Sequence, residues 1–159
     1  MIELRGSLQA SGCRFAIVVS RFNEEITEGL LTGACQALTG ASVLDDDITI
    51  VRVPGAFDIP VAALRAAETG RFDAVICLGA VIKGETMHFE YIASTTCREI
   101  GSAAAASGVP MTLGVLTTLT EAQAAERAAE GLGNKGREAA LAAVEMAVLF
   151  RQLPEGALE

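Results

Sequence analysis

The chain has no tryptophan, a single tyrosine and one histidine in 159 residues. A zinc site would therefore need an unusual ligand set, because a lone imidazole cannot supply the usual histidine pairs. The four cysteines, Cys13, Cys35, Cys77 and Cys97, show no C-x-x-C spacing, which argues against a metal cluster or a disulfide framework. No apolar run reaches the roughly 20 residues that would cross a bilayer. The N-terminus MIELRGSLQASGCRF lacks a basic start followed by an apolar core, so no secretory signal is expected. Positive charge is also scarce. Twelve Lys and Arg stand against twenty Asp and Glu, a formal charge of −8, which disfavours a nucleic-acid or anionic-membrane partner. A cytoplasmic protein is expected, and any anion it binds must be held by a few placed cations.

Apolar residues are plentiful, at 51%, and the length suits one domain spanning 1–159. Four short runs rich in β-branched residues predict buried strands: FAIVVS (15–20), ITIVRV (48–53), AVICLGAV (74–81) and MTLGVLT (111–117). They are nearly continuous in hydrophobicity, as parallel strands covered on both faces should be. Helical spacing fills the intervals 24–38, 59–69 and 88–106, and two further helices follow the last strand. In the final one Leu141, Val144, Val148 and Leu149 form the expected apolar stripe. Thr120 with Gln123 reads as a capping box, and Asn23 and Asn134 read as caps. The order predicts a three-layer α/β sandwich with a central four-stranded parallel sheet and helices on both faces. IELRGSL (2–8) is expected to add an N-terminal edge strand.

GLGNKG (131–136) spells the dinucleotide fingerprint G-x-G-x-x-G. That motif works only between a strand and a helix. Here the preceding TEAQAAERAAE is helical, so a helix–helix joint is expected and no dinucleotide. No Walker-type phosphate loop occurs.

Chemistry in an open parallel sheet gathers beyond the carboxyl ends of the strands. In SRFN, Phe22 could either pack its loop or offer a ring face to a planar heterocycle. In VPGAFDIP, Asp58 could be a helix cap or accept hydrogen bonds from sugar hydroxyls. GAVIKGETMHFE combines a glycine turn, the hydroxyl of Thr86 and the only histidine. His88 is the side chain suited to proton transfer near neutrality. Arg127, ahead of GLGNKG, and Lys135, within it, suit a small phosphorylated substrate, although each could equally be a solvated charge.

SRFN, VPGAFDIP, GAVIKGETMHF, GVLTT and AERA…GNKGREAA occur in order along essentially the whole chain. In this set of motifs the chain resembles the 6,7-dimethyl-8-ribityllumazine synthases of riboflavin biosynthesis. The resemblance implies a flavodoxin-like fold and a metal-free, cofactor-free condensation. In it, 5-amino-6-(D-ribitylamino)uracil joins 3,4-dihydroxy-2-butanone 4-phosphate, with release of phosphate and water.

The resemblance also implies residue roles. Phe22 would stack on the pyrimidine, while Ala56, Phe57 and Asp58 hold the ribityl chain. Backbone groups of Ala80, Val81 and Ile82 would frame the ring. Glu85 and Thr86 would line the phosphate pocket, mainly through main-chain amides, with Arg127 clamping the phosphate and Lys135 adding positive potential. His88 would donate a proton. The family's sites form between neighbours of a pentamer, which would place Phe22, Asp58 and His88 on one subunit and Leu113, a wall of the pyrimidine pocket, with Arg127 and Lys135 on the next. Some members build a 60-subunit icosahedral capsid, and riboflavin synthase is an implied partner.

Two positions and one four-residue loop depart from the family pattern. Asp58 stands where glutamate is usual and Leu113 where an aromatic residue is common, while Ala129-Glu130-Gly131-Leu132 replaces the usual loop. A cage-forming or flavin-binding relative with weakened catalysis is the competing reading. A flavodoxin-like redox or signalling protein fits poorly, since the first strand is not followed by a phosphate loop.

Overall fold

The structure, a computed structural model, describes residues 1–153. Four strands, β1 (Phe15–Ser20), β2 (Ile48–Val53), β3 (Ala74–Ile82) and β4 (Met111–Thr118), form one parallel sheet in the order β2-β1-β3-β4. Five α-helices connect and cover them: α1 (Glu24–Gly40), α2 (Ile59–Glu68), α3 (His88–Ser107), α4 (Glu121–Ala128) and α5 (Lys135–Phe150).

Alternation along the central strands builds two cores. Phe15, Ile17 and Val19 of β1, with Ile76 and Leu78 of β3, face α1 and α5, where Leu30, Leu38 and Val144 close the layer. Ala16 and Val18, with Val75 and Cys77, face α2 and α3. Both sides are dry, which explains why these strands read as unbroken apolar runs.

The stripe expected on α5 takes a different form. Its buried residues are Gly136, Ala139, Ala140, Ala143, Val144 and Ala147, while Leu141 and Val148 only flank the core. Small residues are required because α1 and α5 approach backbone to backbone. A Cβ added at Gly136 would lie 1.9 Å from the Leu30 carbonyl oxygen.

Residues 2–8, expected to add an edge strand, have no ladder partner in the four-stranded sheet. They run beside α5 instead. Gln152 donates its side-chain amide to the Arg5 carbonyl at 2.7 Å, and Gly6 lies against the Glu145 backbone with no room for a side chain.

The sheet reverses its winding between β1 and β3, because the chain leaves β1 toward β2 on one side and places β3 on the other. A crevice opens at the carboxyl ends of such a pair. Phe22 and Asn23 stand at one lip of it, and Ala80 to Ile82 at the other.

Candidate active site

The crevice is a hollow of about 340 Å³. Phe22, Ala56 and Phe57 enter it from the first two strand ends, Ala80, Val81 and Ile82 from the third, and Thr86 and His88 from the approach to α3. Phe22 is held by its backbone: Arg21 and Phe22 donate to the carbonyls of Val53 and Pro54 at 2.8 and 3.1 Å, continuing the β1–β2 ladder past the strand ends. Its side chain is 71% exposed. That is not the burial of a loop-packing staple, and it leaves a ring face open toward the hollow.

Asn23 does not cap α1 with its side chain, contrary to expectation. It occupies the left-handed region, at φ 59° and ψ 50°, which asparagine tolerates better than most residues. Its amide instead donates to the Ala80 carbonyl at 2.9 Å, tying the two lips of the crevice together. One lone pair of that carbonyl is thereby occupied.

Asp58, for which capping is one of two readings, stands at the start of α2 without a side-chain bond to that helix. A 3₁₀ turn, Ala56–Asp58, precedes α2, and the Asp58 carboxylate folds back to accept the Gly55 N–H at 2.9 Å. Its side chain lines a neighbouring groove of about 440 Å³ between α2 and α3, alongside Thr95 and Glu99. Phe57 lies on the boundary and lines both cavities.

At the third strand end, the turn from Lys83 to Met87 leads into α3. The His88 N–H lies 3.4 Å from Thr86 Oγ1, and Met87 provides no side-chain cap. First-turn amides of α3 therefore lie at the rim of the hollow with few partners, an arrangement that favours anions. His88 is solvent-exposed, as is Glu85, which does not line the hollow.

Leu113, Arg127 and Lys135 are elsewhere. They line a second hollow of about 500 Å³ along the free edge of β4, with Thr117 and Glu138. The Arg127 guanidinium donates to the Gln123 carbonyl on its own helix at 3.0 Å. The Lys135 ammonium bonds both Glu138 carboxylate oxygens, at 2.9 and 2.8 Å. Leu113 is 52% exposed. The two hollows share no lining residue: the first contains the histidine and no Lys or Arg, the second both cations and no histidine.

GLGNKG joins α4 to α5, with Gly131 at φ 126°. No strand feeds it, so it is not a dinucleotide turn. Among the described residues, no group of three or more His, Cys, Asp or Glu side chains comes together as a metal site.

A family model described as 6,7-dimethyl-8-ribityllumazine synthase matches residues 12–151. The chain belongs to this family. Lumazine synthases are transferases that catalyse the penultimate step of riboflavin biosynthesis, the condensation of ribitylaminouracil with butanone phosphate. Their substrates are small molecules, and homo-oligomeric assembly is typical of them. No helix of the described residues is long and apolar enough to cross a membrane.

One residue of the lumazine synthase chain, Glu138, and the tertiary contacts of another, Asn134, escaped sequence reasoning. Glu138 was detectable from its i, i+3 spacing to Lys135. Asn134 was legible as a helix cap, but nothing in the sequence marked the long-range bonds described below.

Proposed function

We propose that the two hollows are halves of one active site, brought together when the second hollow of a neighbouring subunit closes over the first. The observation that carries this reading is the division of chemistry. A phosphate-eliminating condensation needs both a proton donor and charge neutralisation. The first hollow has the histidine but only neutral backbone amides to meet an anion, and the second has both cationic side chains but no histidine.

In the assembled site, Phe22 stacks on the pyrimidine and the backbone of Ala80, Val81 and Ile82 frames its edge. The ribityl chain passes Ala56 and Phe57 toward Asp58, which keeps one carboxylate oxygen free of the Gly55 bond. The amine of the uracil adds to the butanone carbonyl to give an imine, with His88 supplying the proton that carries off water. The phosphate rests on main-chain amides around Glu85 and Thr86, while the neighbour's Arg127 and Lys135 balance its charge as it leaves. Leu113 of the neighbour closes the pyrimidine pocket without the stacking an aromatic residue would add. Ring closure with loss of a second water completes the lumazine.

The reading extends to a single cytoplasmic domain working as a pentamer. Assembly into a 60-subunit capsid, with riboflavin synthase as the partner that consumes the product, belongs to the same proposal. The test combines the two substrates, records lumazine fluorescence, and follows particle mass by light scattering as the protein is diluted. Activity should fall with dissociation. A fully active monomer would contradict the shared site.

A further inference from the structure

We infer that Asn134 is a positioning residue that sets Arg127 and Lys135 together as one anion clamp. The inference rests on the proposed role of those two cations in holding phosphate.

Asn134 is only 2% exposed, yet it uses both ends of its amide. Oδ1 accepts the Arg137 N–H at 3.0 Å and so caps the start of α5. Nδ2 reaches three carbonyls: Ala128 at 2.9 Å, Ala129 at 3.1 Å and Gly29 at 3.1 Å. Two N–H groups thus serve three acceptors, one of them shared. Ala128 and Ala129 end α4, a helix of eight residues whose C-cap backbone N–H makes no capping bond. One side chain therefore terminates α4, starts α5 and ties both to α1.

The glycines of α1 are shaped around this amide. A Cβ at Gly33 would stand 2.2 Å from Asn134 Oδ1, and one at Gly29 would stand 2.6 Å from the Ala128 carbonyl oxygen. The cradle admits the amide and little else.

Arg127 immediately precedes the capped end of α4, and Lys135 immediately follows Asn134. Neither cation is fixed by its own pairing, since both sit on surface partners they can leave (Gln123 carbonyl, Glu138). Their relative position comes from the backbone joint, and Asn134 is what closes that joint across α4, α5 and α1.

Asn134→Ser tests this, because serine keeps an oxygen for the Arg137 N–H, while its single, shorter hydroxyl donor cannot replace the two amide N–H groups that span the three carbonyls. The Michaelis constant for the phosphorylated butanone and the inhibition constant of inorganic phosphate should both rise, by about tenfold. The constant for the pyrimidine and kcat at saturation should change far less. Adding Asn134→Ser to an Arg127→Ala/Lys135→Ala protein should raise these constants no further. A variant with lower kcat and unchanged constants would make Asn134 merely structural and overturn the inference. Wild-type phosphate constants in the Arg127→Ala/Lys135→Ala protein would instead refute the phosphate role itself. If Asn134→Ser does not fold, the wild-type protein decides. Saturating phosphate should slow hydrogen exchange at the Arg137 amide, which closes only with the joint, and an unaltered rate there would refute the inference.

Discussion

Lys135 holds its ammonium between the two carboxylate oxygens of Glu138, one helical turn along α5. A lysine in the first turn opposes the helix dipole, and the nearby carboxylate offsets that cost. It also competes with any anion arriving in the second hollow. Glu138→Gln should therefore tighten inhibition by inorganic phosphate, by about two- to fivefold for a half-exposed pair. Unchanged or weaker inhibition would show that Glu138 does not mask Lys135.

Arg127→Ala should weaken apparent affinity for the phosphorylated substrate by about 1.5–3 kcal/mol, the scale of a lost charge-assisted hydrogen bond. Steady-state kinetics at varied butanone phosphate measures this directly. Unchanged kinetics would remove Arg127 from the site.

His88→Ala should alter folding stability by less than about 0.5 kcal/mol, since the side chain is exposed and surface changes are usually small. Turnover should fall by about tenfold, less than many general acids contribute, because addition of an amine to a ketone is intrinsically feasible and water can supply the proton. Denaturant unfolding and kcat together test the pair of expectations, and a turnover equal to wild type would exclude His88 as the proton donor.

Gly136→Ala should destabilise the chain by at least about 1–3 kcal/mol, because the new methyl would force α5 away from the Leu30 carbonyl in a close-packed joint. Urea unfolding is the measurement. An unchanged midpoint would mean that α1 and α5 can separate freely.

Burial pushes the Cys77 thiol up to about 12, so it stays protonated throughout the range where thiolates normally form. Native protein titrated with a thiol reagent at pH 8 should leave Cys77 unmodified until it is unfolded. Rapid labelling in the native state would contradict the dry core between the sheet and α2 and α3.

The layers of this fold were legible because β1 and β3 are covered on both faces, so FAIVVS and AVICLGAV are apolar without interruption. Thr120 was legible as well: it accepts the Gln123 N–H at 3.2 Å, and Gln123 Oε1 accepts the N–H of Leu119, one residue before the cap. Neither Asn23, which reads as a cap, nor Asp58, for which a cap is one of two readings, caps its α-helix with its side chain, for a shared reason. Each stands before a helix, as a cap does, but each finds another partner (Ala80 carbonyl, Gly55 N–H) that local spacing does not reveal. The separation of Arg127 and Lys135 from His88 is what the family resemblance implies, although the spacing of the motifs alone does not reveal it. It follows from the order β2-β1-β3-β4, which sets the edge of β4 apart from the β1–β3 crevice.

The shared site is tested most directly by mixing two damaged subunits. His88→Ala and Arg127→Ala proteins, each impaired alone, are dissociated together and allowed to reassemble. If one subunit supplies the histidine and its neighbour the arginine, random assortment restores both groups to about a quarter of the sites, and lumazine formation rises above the mean of the two parents. If every subunit carries a whole site, the mixture stays at that mean, and the two hollows are not halves of one active centre.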